Sequence, residues 1–217
     1  MVDQPKNHED TIVSPKVGVA PLRREQIVRA TIRCLAREGY SGLTMKKVAR
    51  LAGVSPGILH YYFTDKRAIL VAALETVTAD LDRRVGAAQA RSGQDPRARL
   101  RALIHACLES SVAMREVWIV FVEFWGEMMH DTGLRSINAG LYARMRRLIA
   151  MPVAQGVRAG RFRRVSPTEA AAVILGLLDG VSLQLTFDPR AFSGAAAARF
   201  CEDALGRYLA RGGREKP

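Results

Sequence analysis

The sequence predicts an all-α protein, with an N-terminal three-helix helix-turn-helix domain followed by a larger helical domain. Two observations carry that expectation. Apolar residues recur three and four positions apart along most of the chain, and no segment alternates apolar with polar as a half-buried strand does. In the first third, Ala49 and Gly53 stand four apart between two short helical patterns, which is what a tight corner between crossing helices requires: a small contact residue and a turn that tolerates φ > 0. Composition sets the frame. Of 217 residues, 48% are hydrophobic and 25% charged, with 33 Lys+Arg against 21 Asp+Glu for a formal charge of +12. Disordered chains carry fewer apolar residues, and collagen-like or disulfide scaffolds need far more than 18 Gly or 3 Cys.

The elements follow in order. Residues 1–20 hold Pro5 and Pro15 and lack apolar periodicity, so a flexible arm is expected. Ile27, Ala30, Thr31, Cys34 and Leu35 fall on one helical face, and Gly39 is placed to stop that first helix. Thr44 is suited to cap a short second helix carrying Val48 and Leu51, and Ser55-Pro56 offers an N-cap with proline at the first position of a third. Thr64 is expected to cap a long fourth helix from about Asp65 to about Ala90. Beyond the SGQDP break at 92–96 the pattern is helical throughout, with stops at 131–133, 160 and 188–189. Pro152 interrupts the periodic residues Ile137, Leu141, Met145 and Leu148, so a kink or split is expected there. Ser166-Pro167-Thr168-Glu169 reads as a capping box opening an apolar helix to about Phe187, and a last helix spans about Ala195 to Ala210 before a charged tail, 212–217.

Cys34, Cys107 and Cys201 are odd in number and far apart, with no CxxC or Cys/His cluster, which fits small buried hydrophobes better than disulfides or zinc. The longest apolar run, Ala170 to Leu178, is short of the ~20 residues a membrane span needs. No secretory signal pattern opens the chain, and a cytoplasmic protein is expected.

The stretch from Thr44 to Lys66, TMKKVARLAGVSPGILHYYFTDK, carries the chemistry. Val48, Val54 and Leu59 are spaced to form a small core between two helices, leaving the opposite side free to meet DNA. Between Pro21 and Arg67 there are ten basic side chains to three acidic, so much of the positive excess is concentrated here. Glu38-Gly39-Tyr40, Thr44, Ala49, Ala52-Gly53-Val54-Ser55, Gly57, Tyr62-Phe63 and Asp65-Lys66 together resemble the tetracycline repressor (TetR) family. The match is tight from Arg23 to about Leu74 and looser beyond.

The resemblance implies phosphate contacts from Thr44, Ser55, Tyr61, Tyr62 and Lys66. Helix N-termini at Thr44 and Ser55 suit an anion in any case, and Lys66 in a first helical turn makes most sense beside one. Lys46, Lys47 and Arg50 extend the basic face. Pro56, Gly57 and His60 take the exposed side of the recognition helix, where only His60 can donate to a base edge, so direct readout is sparse. The implied partners are a palindromic double-stranded DNA operator, a second copy of the chain and a small-molecule inducer, with residues 21–66 binding DNA and 67–211 binding ligand and dimerising.

For the ligand, Trp118, Phe121, Trp125 and Met129 share one helical face in a segment that holds both tryptophans. Such a stripe is either ordinary core or a pocket wall. This segment and Leu177-Leu178-Asp179-Gly180 loosely resemble the branch of the family that includes the choline-responsive repressor BetI. Asp179, with Glu123 and Glu127, is a candidate partner for a cationic ligand beside an aromatic cage, and His105 and Tyr142 are further polar anchors. The final two helices carry Gly176, Gly180, Gly206 and Ala195 to Ala198, and in this family the last pair forms a four-helix interface across a two-fold axis. The four histidines are scattered, and GxSxG, P-loop, HExxH and GxGxxG patterns are absent, so neither an enzyme nor a cofactor or metal site is expected. The rival from another class is a ligand-independent helix-turn-helix protein in which the aromatic segment is only core.

Overall fold

The computed structural model describes residues 19–108 and 112–211, and among these every regular element is an α-helix. In chain order they are α1 (Val19–Gly42), α2 (Met45–Ala52), α3 (Pro56–Tyr62), α4 (Lys66–Arg91), α5 (Pro96–Leu108), α6 (Val112–Met128), α7 (Thr132–Arg158), α8 (Pro167–Phe187) and α9 (Gly194–Leu209). Most of the expected arm and the 212–217 tail lie outside the described residues, while Val19 and Ala20 already belong to α1.

Capping chemistry sets most boundaries. The Thr44 side chain accepts from the Lys47 N–H, that of Ser55 from Ile58 and that of Ser166 from Glu169, each closing an orphan donor of a first turn. At α4 the expectation was off by one residue: Asp65, not Thr64, is the N-cap, with its Oδ1 accepting from the Ala68 N–H at 2.7 Å. A carboxylate there also complements the helix dipole, which a threonine hydroxyl does not. Pro152 does not split α7, which runs unbroken from Thr132 to Arg158 with the proline buried. Only the N–H of residue 152 is missing from the ladder, and burial of its neighbours Ile149 and Val153 holds the helix together.

The helix-turn-helix corner forms as its residues dictate. Ala49 is buried where α2 meets α3, and Gly53 takes the left-handed conformation (φ 63°, ψ 37°) that ends α2. Val48 and Leu59 are fully buried and Val54 packs against them. The Gln26 amide of α1 donates to the Ala52 carbonyl at 2.6 Å, fixing the C-terminal end of α2. Gly39 interrupts α1 with φ 67° and ψ −177°, a backbone geometry essentially restricted to glycine.

Helix α8 is long and apolar enough, by length and composition alone, to cross a membrane. It packs here against α5, α6, α7 and α9, with Asp179 at its middle. Its outer side stays open: Val173 and Phe187 are exposed on α8, and Phe200 on α9 lies against Phe192 with ring centroids 5.6 Å apart. Gly176, Gly180 and Gly206 face open space, and so do not mediate close helix packing within this chain. All three cysteines are buried, and burial pushes the Cys107 thiol up to about 12, leaving it inert.

Candidate functional site

Two constellations stand out. The first is the open side of α2 and α3. Thr44, Lys46, Ser55, Pro56, Gly57, His60 and Tyr61 are all solvent-exposed, and Tyr62 is half-buried. Tyr61 is 83% exposed and stands edge-on against Tyr62 with centroids 5.1 Å apart, which leaves its phenol open to solvent. The Lys66 ammonium lies over the Tyr40 ring, 3.6 Å from its centroid. That aromatic face positions the cation in the first turn of α4 without neutralising it. Lys47 leaves the expected basic face: it pairs with Glu38 and donates to the Gly42 carbonyl at 3.0 Å, which ties α2 back to α1.

The second constellation is a cavity of about 40 Å³ among α4, α6, α7 and α8. Trp118, Phe121 and Trp125 form its α6 wall, with ring centroids 5.7 to 6.2 Å apart. Tyr142 closes the aromatic set 6.5 Å from Trp125. The Tyr142 hydroxyl donates to Asp179 Oδ2 at 2.8 Å, and the Trp125 indole N–H donates to Asn138 Oδ1 at 3.3 Å. The Trp118 indole N–H is buried without a partner. Burial pushes the Asp179 carboxyl up to about 6, against a smaller opposing effect of the Tyr142 hydrogen bond. The same burial, together with the neighbouring carboxylate, raises the Tyr142 phenol so that it stays a donor.

Of the ligand residues expected from sequence, the fold thus brings Trp118, Phe121, Trp125, Tyr142 and Asp179 to one cavity. Met129, His105 and Glu123 fall elsewhere. Met129 lies one residue beyond the end of α6, so the helical register that would align it with Trp125 no longer applies, and it is 64% exposed. His105 faces Glu202 of α9, with Nε2 to Oε1 at 2.5 Å, on the rim of a separate open groove. Glu123 turns away from the cavity: its Oε2 accepts the Tyr40 backbone N–H at 2.8 Å. Thr78 and Met145 also line the cavity, and no local sequence signal marked them. Among the described residues no group of three or more His, Cys, Asp or Glu side chains is placed to hold a metal ion.

Comparison with known proteins gives a consistent set of likenesses. Residues 27–73 match the family described as bacterial regulatory proteins, tetR family, and residues 96–210 match the C-terminal region of BetI-type transcriptional repressors. The HTH-type transcriptional regulator BetI of Ectopseudomonas mendocina is 33% identical over 204 residues, spanning 90% of this chain and 97% of the relative. Among solved structures, a transcriptional regulator from Saccharomonospora viridis in complex with choline superposes with a TM-score of 0.79 at 27% identity, covering 88% of this chain and all of the other. A TetR-family regulator from Rhodococcus gives 0.75 at 25% identity over 87% of this chain and 98% of its own.

Proposed function

This chain belongs to the tetR family of bacterial transcriptional regulators, in its BetI-type branch, and from that premise we propose that it is a repressor that binds a palindromic operator as a homodimer and is released by a cationic small molecule. The observation that carries the ligand class is the enclosure of Asp179 by Trp118, Phe121, Trp125 and Tyr142. Aromatic faces attract a cation through their quadrupoles, and a half-buried carboxylate without a counter-ion is the strongest remaining attraction for one. Choline in the Saccharomonospora relative is of that class.

The exposed apolar face of α8 and α9, with Val173, Phe187 and Phe200, suits a second copy of the chain related by a two-fold axis. Two recognition helices then face successive major grooves roughly 34 to 36 Å apart. Lys66, Tyr61, Tyr62, Thr44 and Ser55 act on phosphates and His60 on a base edge, with Lys46 adding charge.

Both tryptophans of the chain line the cavity, so intrinsic fluorescence reads occupancy directly. Titration with choline, other quaternary ammonium ions and their neutral isosteres is expected to change emission with the cations only, and to weaken binding to a duplex selected from a random library. A response to neutral isosteres equal to that for cations refutes the ligand class. One rival reading, a ligand-independent regulator with a packed aromatic core, accommodates the same small cavity and predicts no fluorescence change and no release with any of these compounds.

A further inference from the structure

Gly39 and Tyr40 sit at the foot of α1, immediately before the helix-turn-helix. Because Gly39 adopts φ 67° and ψ −177°, the next N–H leaves the helical ladder and needs an acceptor. That acceptor comes from 83 residues away: Glu123 Oε2 takes the Tyr40 N–H at 2.8 Å. The Glu123 carboxylate is so close that a Cβ at Gly39 would meet its Oε1 at 3.2 Å. Glu123 belongs to α6, the helix whose Trp118, Phe121 and Trp125 wall the cavity, and at 100° per residue it projects from the side opposite those rings. Tyr40 in turn carries Lys66 on its ring, so one residue joins the backbone tie to α6 and the cation at the start of α4.

We infer that Glu123 is a positioning residue, the tie through which α6 sets the helix-turn-helix relative to the ligand cavity, so that displacement of the aromatic wall is passed to the DNA-binding face through the Tyr40 amide. This rests on the proposed ligand-responsive reading. A rigid rod with the cavity on one side and the foot of α1 on the other conveys a shift of its wall without an intermediary, whereas α4 offers only Thr78 to the same cavity. Arg67 and Asp131 make a second fastening nearby, Nε to Oδ2 at 2.7 Å and Nη2 to Oδ1 at 3.1 Å, between α4 and the turn before α7. That pair does not involve α6 itself, so it fixes the neighbourhood and leaves the response to Glu123.

The test is a double-mutant cycle on the full chain, with Glu123→Ala and Phe121→Ala made singly and together, and Glu123→Gln as the conservative variant. Affinity is measured for a duplex selected with the wild-type protein, alongside amide exchange at Tyr40 and thermal stability. Glu123→Ala is expected to speed Tyr40 exchange about tenfold or more and to weaken DNA binding about fivefold or more, with Glu123→Gln restoring most of both because one oxygen still accepts. Phe121→Ala is expected to weaken DNA binding in the wild-type background and to add nothing once Glu123 is gone. Equal effects of Phe121→Ala in both backgrounds, or wild-type affinity for Glu123→Ala, overturn the inference, since a residue that merely stabilises the fold gives additive losses. If Glu123→Ala does not fold, Tyr40 amide exchange in Phe121→Ala decides: exchange faster than in the wild-type protein supports the tie to the cavity wall, and unchanged exchange overturns it. Should the wild-type protein select no duplex, the repressor reading fails instead, and the Tyr40 exchange rates alone decide whether the tie exists.

Discussion

Replacing Asp179 by Asn isolates the cost of a carboxylate half-buried among aromatic rings. Its folded-state value of about 6 stands roughly two units above the ordinary 3.8, so the folded protein binds this proton more tightly than the unfolded chain does. At about 1.4 kcal/mol per unit, the ionised carboxylate destabilises the empty fold by about 3 kcal/mol above pH 6. The sign is the reverse of the usual aspartate. The penalty is fully present above the folded value and is relieved as pH falls from about 6 towards the unfolded value near 4. Wild-type protein is therefore expected to gain stability over that window relative to Asp179→Asn. At pH 7.5 the variant is expected to be the more stable, by less than the full 3 kcal/mol because a neutral amide accepts more weakly from Tyr142. Chemical denaturation of both proteins at pH 7.5, 6 and 4.5 measures the difference. A cationic ligand is expected to bind wild type about tenfold more weakly for each unit below pH 6, because binding must first remove the proton, and to bind Asp179→Asn poorly at every pH. A stability difference that stays constant from pH 7.5 to 4.5 refutes the assignment of this carboxyl as the raised group, and undiminished cation binding by Asp179→Asn refutes its role as counter-charge.

Three further outcomes are expected. Lys66→Ala is expected to weaken binding to operator and scrambled duplexes alike, while His60→Ala shifts the base preference; isotherms on both duplexes check this, and an operator-only loss for Lys66→Ala reverses the assignment. Gly156→Ala places a Cβ 2.0 Å from the buried Phe162 ring, and is expected to cost about 2 kcal/mol or more in a urea unfolding curve because overpacking there displaces the ring from the α5 and α9 side chains around it. Gly39→Ala forces a side chain into a glycine-only geometry and crowds Glu123, with an expected loss of about 1 to 3 kcal/mol in the same assay.

The parts of the fold legible in the sequence are those written in local chemistry. Thr44, Ser55 and Ser166 mark helix starts because a short polar side chain at an N-cap satisfies donors within three residues of itself. Thr64 and Asp65 defeat the same reasoning because both are capping residues and sit side by side; only the path of the chain from α3 into α4 decides between them. Periodicity placed Trp118, Phe121 and Trp125 on one face, yet carried Met129 along with them because the pattern does not say that α6 ends at Met128. Partners supplied from distant segments left no trace. Tyr142 and Asp179 are 37 residues apart, His105 and Glu202 are 97 apart, and nothing local distinguishes a carboxylate aimed at a ligand from Glu123, which is aimed at a glycine turn.

The size of the cavity bears on how any ligand would act. About 40 Å³ holds roughly one or two waters, whereas a quaternary ammonium with its substituents displaces several times that volume. The proposed ligand cannot enter without moving the walls, and close-packed interiors yield by shifting whole elements more readily than by compressing. Of the four helices around the cavity, α6 contributes three aromatic side chains to it and is the one tied by Glu123 to the Tyr40 amide. A ligand shifts an equilibrium only by the difference in its affinity for two states, and here that difference is built into the space it needs: the state with α6 displaced admits the cation, and the packed state excludes it. Binding and release of the DNA-binding face are on this account two readings of one displacement. A small apo cavity is then what a tightly coupled switch requires, and a variant with a pre-enlarged cavity, such as Phe121→Ala, is expected to bind the cation with less change in operator affinity than the wild-type protein shows.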